Sequence, residues 1–226
     1  MWVAGVPAWS EAERLAGLLL ASDERGRAQR FRSRPDAARF VTGRALAQLA
    51  VAPVLGSAPG SVVFDRTCRR CGSPTHGPPR VPGSAVVFSV SRSHGIVICA
   101  VGAPGADVEW MGTDVDVDDV ARVALSPGER AQLDGVARPA ERRVALLTAW
   151  VRKEAYLKAT GVGLAADLTR CEVTFLAGVA PSVVGETGWW LADVPIADHV
   201  AAVAAPAPGG RVLLRDAGDL DPALAW

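Results

Sequence analysis

RAQLDGVARPAERRVALLTAWVRKEAYLKATG, residues 130–161, echoes an earlier stretch, RAQRFRSRPDAARFVTGRALAQLAVAPVLG, residues 27–56. Each opens on RAQ, breaks at an Arg-Pro pair and runs on into a long helix-forming segment. The first helix is expected from Asp36, with Phe40, Leu46 and Ala47 on its apolar face, stopping near Pro53 and Gly56. The second is expected to end at Gly161. Self-similarity at such a spacing points to a duplicated unit, not a short-repeat solenoid. The fold expected is therefore α+β: two pseudo-symmetric α/β halves, 1–105 and 106–226, with a ligand site in the cleft between them.

The flanking segments fill in those halves. SEAERLAGLLLAS (10–22) reads as a short amphipathic helix with Ser10 as N-cap and Glu13 completing a capping box. Strands are expected at 61–65, 85–91, 95–102, 108–117, 171–178, 189–196 and 199–205. CRRCGSPTHGPPRVPG (68–83) reads as a Gly/Pro-rich loop.

The chain has 226 residues, half of them apolar, and zero formal net charge. No overall field favours nucleic acid or an anionic membrane. No apolar run is long enough to span a bilayer, and no secretory leader is evident. Four cysteines are too few for a disulfide scaffold at this size, so a reduced cytoplasmic compartment is expected. The charge is unevenly placed: residues 25–44 carry seven arginines against Asp36, and residues 107–119 carry six acids and no base. Such a division suits a site that joins a metal to a polyanion.

GTDVD (112–116) on a strand would aim the carboxylates of Asp114 and Asp116 to one face. Neighbouring carboxylates repel unless a cation joins them, and a hard ion such as Mg²⁺ takes oxygen ligands of this kind. Taken alone, D-x-D also fits a solvated strand face. WVRKEAYLKATGVGL (150–164) holds both lysines of the chain, Lys153 and Lys158, among 24 basic residues. Glu154 and Lys158 share a helix face. Arginine would serve as well in a surface ion pair, so lysine marks a place needing a compact, deprotonatable cation.

Together these motifs resemble the 4′-phosphopantetheinyl transferase superfamily, in its monomeric, two-half, surfactin-synthetase-activating type. The resemblance covers nearly the whole chain. It implies transfer of phosphopantetheine from coenzyme A to a serine of an apo acyl or peptidyl carrier protein, with release of 3′,5′-ADP. It implies Mg²⁺ held by Asp114, Asp116 and Glu154, with Asp116 standing where many members have Glu. Glu154 matches the proposed base and Lys158 the cation on the α-phosphate. Lys153 belongs to the motif with a less defined role. Arg39 and Arg44 (RFVTGRAL) lie near the position that binds the 3′-phosphate and adenine.

Two stretches depart from the family pattern. The family's S-x-S-H-S-G, whose histidine contacts the coenzyme A 3′-phosphate, reads SVSRSHG here: Ser91 matches, Arg92 takes the histidine position and His94 falls two later, so the resemblance implies that Arg92, by register, or else His94 reaches the phosphate. G-K/R-P reads HGPPR, with Pro78 for the cation and Arg80 as a substitute. Cys68, Cys71 and His76 invite a zinc reading without an evident fourth ligand. Carrier proteins are acidic helical bundles, so a docking rim could use Arg122, Arg130, Arg138, Arg142 or Arg143. Fatty acid, polyketide and nonribosomal peptide carriers all remain open as partners. So do two other functions: a Mg²⁺-dependent nucleotide phosphohydrolase, and a non-catalytic relative that binds coenzyme A or a carrier.

Overall fold

The repeat of sequence is a repeat of elements. The computed structural model describes residues 1–68, 71–74, 77–162 and 166–219. It begins with β1 (Trp2–Gly5), then α1 (Trp9–Leu19), α2 (Ser22–Gln29) and α3 (Arg34–Val51), then β2 (Phe88–Ser93) and β3 (Ile96–Val101). The order restarts with β4 (Gly105–Trp110), α4 (Val117–Ala124), α5 (Pro127–Asp134) and α6 (Pro139–Thr160), then β5 (Trp189–Asp193) and β6 (His199–Pro206). In both runs the first strand pairs antiparallel with the last, and the last with the middle one. Mixed α+β architecture is thus observed. The chain divides into two units: residues 1–102 with the stretch from Leu213 onward, and residues 103–212. The stretch from Leu213 returns because β7 (Arg215–Asp216) pairs parallel with β1.

Local chemistry sets the helix ends. Ser33 caps α3 by accepting from the Asp36 amide, with Pro35 in the first turn. Ser126 and Glu129 form a full capping box on α5. Gly161, at φ 77°, closes α6 in the left-handed conformation. At α1 the expected cap is not used. The helix starts at Trp9 with Ala8 as N-cap, whose carbonyl takes the Glu11 and Ala12 amides at 3.1 and 3.0 Å, so Ser10 lies inside the first turn.

Three expected strands are absent or shifted. SVVFD and CEVTFLAG contribute only isolated bridges, Asp65 to Arg80 and Val173 to Val183. The strand placed at 108–117 lies at 105–110, and the chain then turns, with Thr113 N–H donating to the Trp110 carbonyl. Short helices α2 and α4 were not foreseen. Both are eight residues long: α2 is so rich in charge that apolar periodicity barely marks it, whereas α4 is amphipathic, with Val117, Val120, Ala121 and Ala124 spaced for one face but its first residue read into the preceding strand.

In the first unit α3 lies on the sheet at Gly43, where a β-carbon would fall 3.7 Å from Val90 and Val97. In the second, α6 lies on β4 at Gly105, where a β-carbon would fall 1.9 Å from the Ala155 carbonyl oxygen. Lys153 then locks α6 to its surroundings. It is fully buried, and its ammonium donates to Ala124 O (2.7 Å), Glu129 Oε2 (2.5 Å) and Leu168 O (3.0 Å). Glu129 in turn accepts from the amides of Ser126 and Val173. Three protons meet three acceptors, a geometry that arginine's planar fork cannot copy.

Removing one side of a buried pair strands the other charge. Lys153→Met is expected to destabilise the fold by about 3–5 kcal/mol. Adding Glu129→Leu should recover part of that loss, read by urea melts of the single and double variants. A single variant as stable as wild type would refute the keystone role.

Candidate active site

β4 supplies the centre of the site. Its residues alternate: Ala106 and Val108 are fully buried on one side, while Gly105, Asp107 and Glu109 share the other, the side on which α6 lies. The missing side chain at Gly105 lets the helix backbone come close. That approach sets Asp107 and Glu109 against Glu154 and Lys158, which share a face of α6. Lys158 Nζ donates to Asp107 Oδ1 at 2.5 Å and to the Ala106 carbonyl at 3.2 Å. Glu154 is buried, and its Oε1 has no hydrogen-bond partner. Burial holds the Glu154 carboxyl above the ordinary range; Asp107 and Glu109 push the same way and Lys158 opposes them.

The structure places the acids of the two G-x-D-x-acid patterns differently from one another. The pattern G-x-D-x-acid occurs twice in succession, as GADVE (105–109) and GTDVD (112–116). Only the first lies on the strand facing α6. Asp114 is exposed in the following loop. Asp116 is also exposed and is the N-cap of α4, accepting from the Asp118 and Asp119 amides at 3.0 Å. Asp118 pairs with Arg142 at 2.7 Å. The overlooked signal was the glycine: Gly105 must pass a helix backbone, whereas Gly112 sits against the ring of Trp110.

Lys153 lies in a buried pocket of its own. Its three protons go to protein acceptors that hold α6 in place. Glu154 and Lys158 are brought together as expected. The Gly163–Leu164 end of their motif lies outside the described residues.

Oxygen donors in this number suit a hard divalent cation. Among the described residues no three acid, histidine or cysteine side chains converge as a finished metal shell. The Lys158 ammonium already sits on one oxygen of Asp107. Three mutually repelling carboxylates and the orphaned Glu154 oxygen still fit such an ion. Cys68 and Cys71 carry no such case, and His76 lies outside the described residues.

The first unit gathers arginines. Arg44 pairs with Glu24 at 3.0 Å, and Arg27 and Arg44 both lie over the Phe40 ring at 5.2 and 5.3 Å. Arg44 is lowered by desolvation first; Glu24 raises it, and Arg27 and Arg92 lower it further. Arg66, which the sequence did not single out, is pushed down to about 10 by desolvation and then by Arg44 and Arg27. Arg92 shares its side of β2 with Val90, and so lies toward α3. It is lowered by desolvation and by Arg39 and Arg27. Arg39 pairs with Asp36 and donates to the His94 carbonyl.

The other nucleotide candidates separate. Ser91 lies on the opposite face of β2 from Arg92, and His94 turns the β2–β3 hairpin at φ 48°. Arg80 is tied to Asp65 at 2.8 Å and to Thr67 O at 3.2 Å, bracing its loop. Arg122, Arg130 and Arg142 line a hollow of about 200 Å³, where Asp118 and Asp134 neutralise Arg142. No helix among the described residues is long and apolar enough to cross a membrane.

The 4′-phosphopantetheinyl transferase superfamily model matches residues 103–204. The 4′-phosphopantetheinyl transferase HetI of Nostoc sp. is 33% identical over 82% of this chain and 78% of its own. Two solved structures are more distant. A Bacillus anthracis holo-(acyl-carrier-protein) synthase in complex with CoA (3′,5′-ADP) is 20% identical, with TM-score 0.37, covering 45% of this chain and 92% of its own. An apo-ACPS from Chronobacterium ammoiniagenes is 15% identical, with TM-score 0.33, covering 53% and 95%.

Two outcomes follow from the β4–α6 contact. Gly105→Ala should cost about 1–3 kcal/mol by overpacking, seen as a lowered melting temperature; unchanged stability would mean that the strand and helix separate freely. Glu154 is disfavoured as a carboxylate in the fold, so stability is lost as pH rises from the ordinary carboxylate value through its raised one. In chelator, Glu154→Gln should melt above wild type at neutral pH, with the gap closing in acid. An equal or lower melting temperature at neutral pH contradicts this electrostatic account.

Proposed function

The chain belongs to the 4′-phosphopantetheinyl transferase superfamily, and from this we propose that it moves phosphopantetheine from coenzyme A to a serine hydroxyl of an apo carrier protein. The observation that carries the reading is the buried Glu154 oxygen beside Asp107 and Glu109, with Lys158 on the same helix face. Phosphoryl transfer asks mainly for charge neutralisation and positioning. Asp107, Glu109 and Glu154 would hold Mg²⁺, which when bound neutralises pyrophosphate oxygens and orients them.

Glu154, kept basic by its buried and anionic surroundings, takes the serine proton. The serine oxygen bonds to the β-phosphorus of coenzyme A. The bond from that phosphorus to the bridging oxygen breaks, and 3′,5′-ADP leaves with the electron pair. Lys158 turns from Asp107 to the α-phosphate and offsets the charge gathering there. Arg39, Arg44 and Arg92 of the first unit hold the nucleotide phosphate, since arginine grips phosphate with paired donors. The partners are carrier proteins or domains of fatty acid, polyketide or nonribosomal peptide synthases, met in the cytoplasm by a monomeric enzyme.

Intact-protein mass spectrometry of an apo carrier with coenzyme A and Mg²⁺ tests the reading. Wild type should add the mass of one phosphopantetheine. Asp107→Asn and Glu154→Gln should slow it by about 100-fold or more, while Asp114→Asn should stay near wild type. Coenzyme A hydrolysed without carrier modification would instead mark a phosphohydrolase. Binding without turnover on carriers of all three classes would mark a non-catalytic relative.

A further inference from the structure

The arginine cluster of the first unit contains one feature that simple anion binding does not need: a carboxylate. Glu24, on α2, reaches Arg44 on α3 with 3.0 Å between Oε1 and Nε, and both side chains are largely shielded from water. The charges acting on Glu24 are Arg44, Arg66 and Arg27, with Asp23 as the acid beside it. Whereas Arg44 has Glu24 and Arg27 has the Phe40 ring, the Arg66 side chain makes no ion pair among the described residues. Its Nε is buried and donates no hydrogen bond to any described atom. A buried guanidinium N–H left unmade is expensive, and the group that would complete it is an acceptor with more than one oxygen. A carboxylate offers two oxygens and one charge. A phosphate monoester offers three oxygens and nearly two charges.

We propose that Glu24 is a displaceable internal counter-ion: it occupies the place among Arg44, Arg66 and Arg27 that a phosphate monoester takes, and a phosphate must displace it to bind. This rests on the transferase reading only in naming that monoester as the 3′-phosphate of the nucleotide. Arg66 is then a ligand-binding residue, and Glu24 sets how tightly the phosphate is held. The consequence is chemical. Substrate and released nucleotide carry the same 3′-phosphate, so an unopposed arginine cluster would hold the product as firmly as the substrate. Glu24 weakens that grip and takes the place back when the nucleotide leaves.

The test is calorimetric titration of wild type, Glu24→Gln and Arg66→Gln with 3′,5′-ADP and with 5′-AMP, which lacks the 3′-phosphate. Neither titration requires turnover. Glu24→Gln should bind 3′,5′-ADP about fivefold more tightly while 5′-AMP is unchanged. Arg66→Gln should lose about tenfold for 3′,5′-ADP alone. Glu24→Asp, which keeps the charge and shortens the reach, supplies the same comparison should the glutamine variant melt early; it too should bind 3′,5′-ADP more tightly. Binding by the Glu24 variants that is unchanged or weaker overturns the proposal and makes Glu24 a strut for Arg44. Equal affinity of wild type for the two nucleotides also overturns it. A failed transfer assay beside an intact Glu24 effect would remove the transferase reading and leave the counter-ion standing.

Discussion

The contact between β4 and α6 at Gly105 governs the second unit. A backbone with no β-carbon at that position lets a helix carbonyl lie where any other residue would place its side chain. Everything chemical in that unit follows from the closeness. Strand alternation then puts Asp107 and Glu109 under the helix, and helical periodicity returns Glu154 and Lys158 to meet them. The arrangement accumulates negative charge in a half-buried place, which is costly in an isolated protein. Lys158 covers part of that cost through Asp107. Glu154 is left with an uncompensated oxygen.

Much of this was legible from residues. The doubled RAQ and Arg-Pro text announced two runs of like elements; each long helix begins at its Arg-Pro pair, and α6 stops at Gly161 as expected. The family signature around Lys153, Glu154 and Lys158 was equally plain. The bounds of the central strand were not. Two copies of G-x-D-x-acid stand in a row, and alternation alone cannot choose between them. The choice is made by tertiary contact, since one glycine meets a helix and the other meets a tryptophan ring. The same limit hid Arg66. It stands in an irregular stretch after a strand that did not form, and only the fold gives it Arg44, Arg27 and Glu24 as neighbours.

The two lysines of an otherwise arginine-built chain have different reasons to exist. Lys153 is a structural cation whose three protons point to three acceptors in a fully buried pocket. Lys158 keeps some access to water and rests on an acid of the site. A flat, forked guanidinium fits neither a trigonal cage nor a compact point contact. Identical chemistry has thus been kept next to the site for one reason and within it for another, and proximity in sequence is a poor guide to which is which.

The return of β7 to β1 has a consequence for how the protein is made. The first unit draws strands from both ends of the chain, with the Met1 ammonium on the Leu213 carbonyl at 2.6 Å and Arg215 over the Trp2 ring. The second unit is one uninterrupted segment and is in effect inserted within the first. On the ribosome it has all its residues before the first unit has its last strand. Until then β1 is an edge with open hydrogen-bonding groups, the kind of edge that invites unwanted pairing. The unit begun first is thus the last to be completed, and the nascent chain must keep that edge unpaired while the inserted unit is being made.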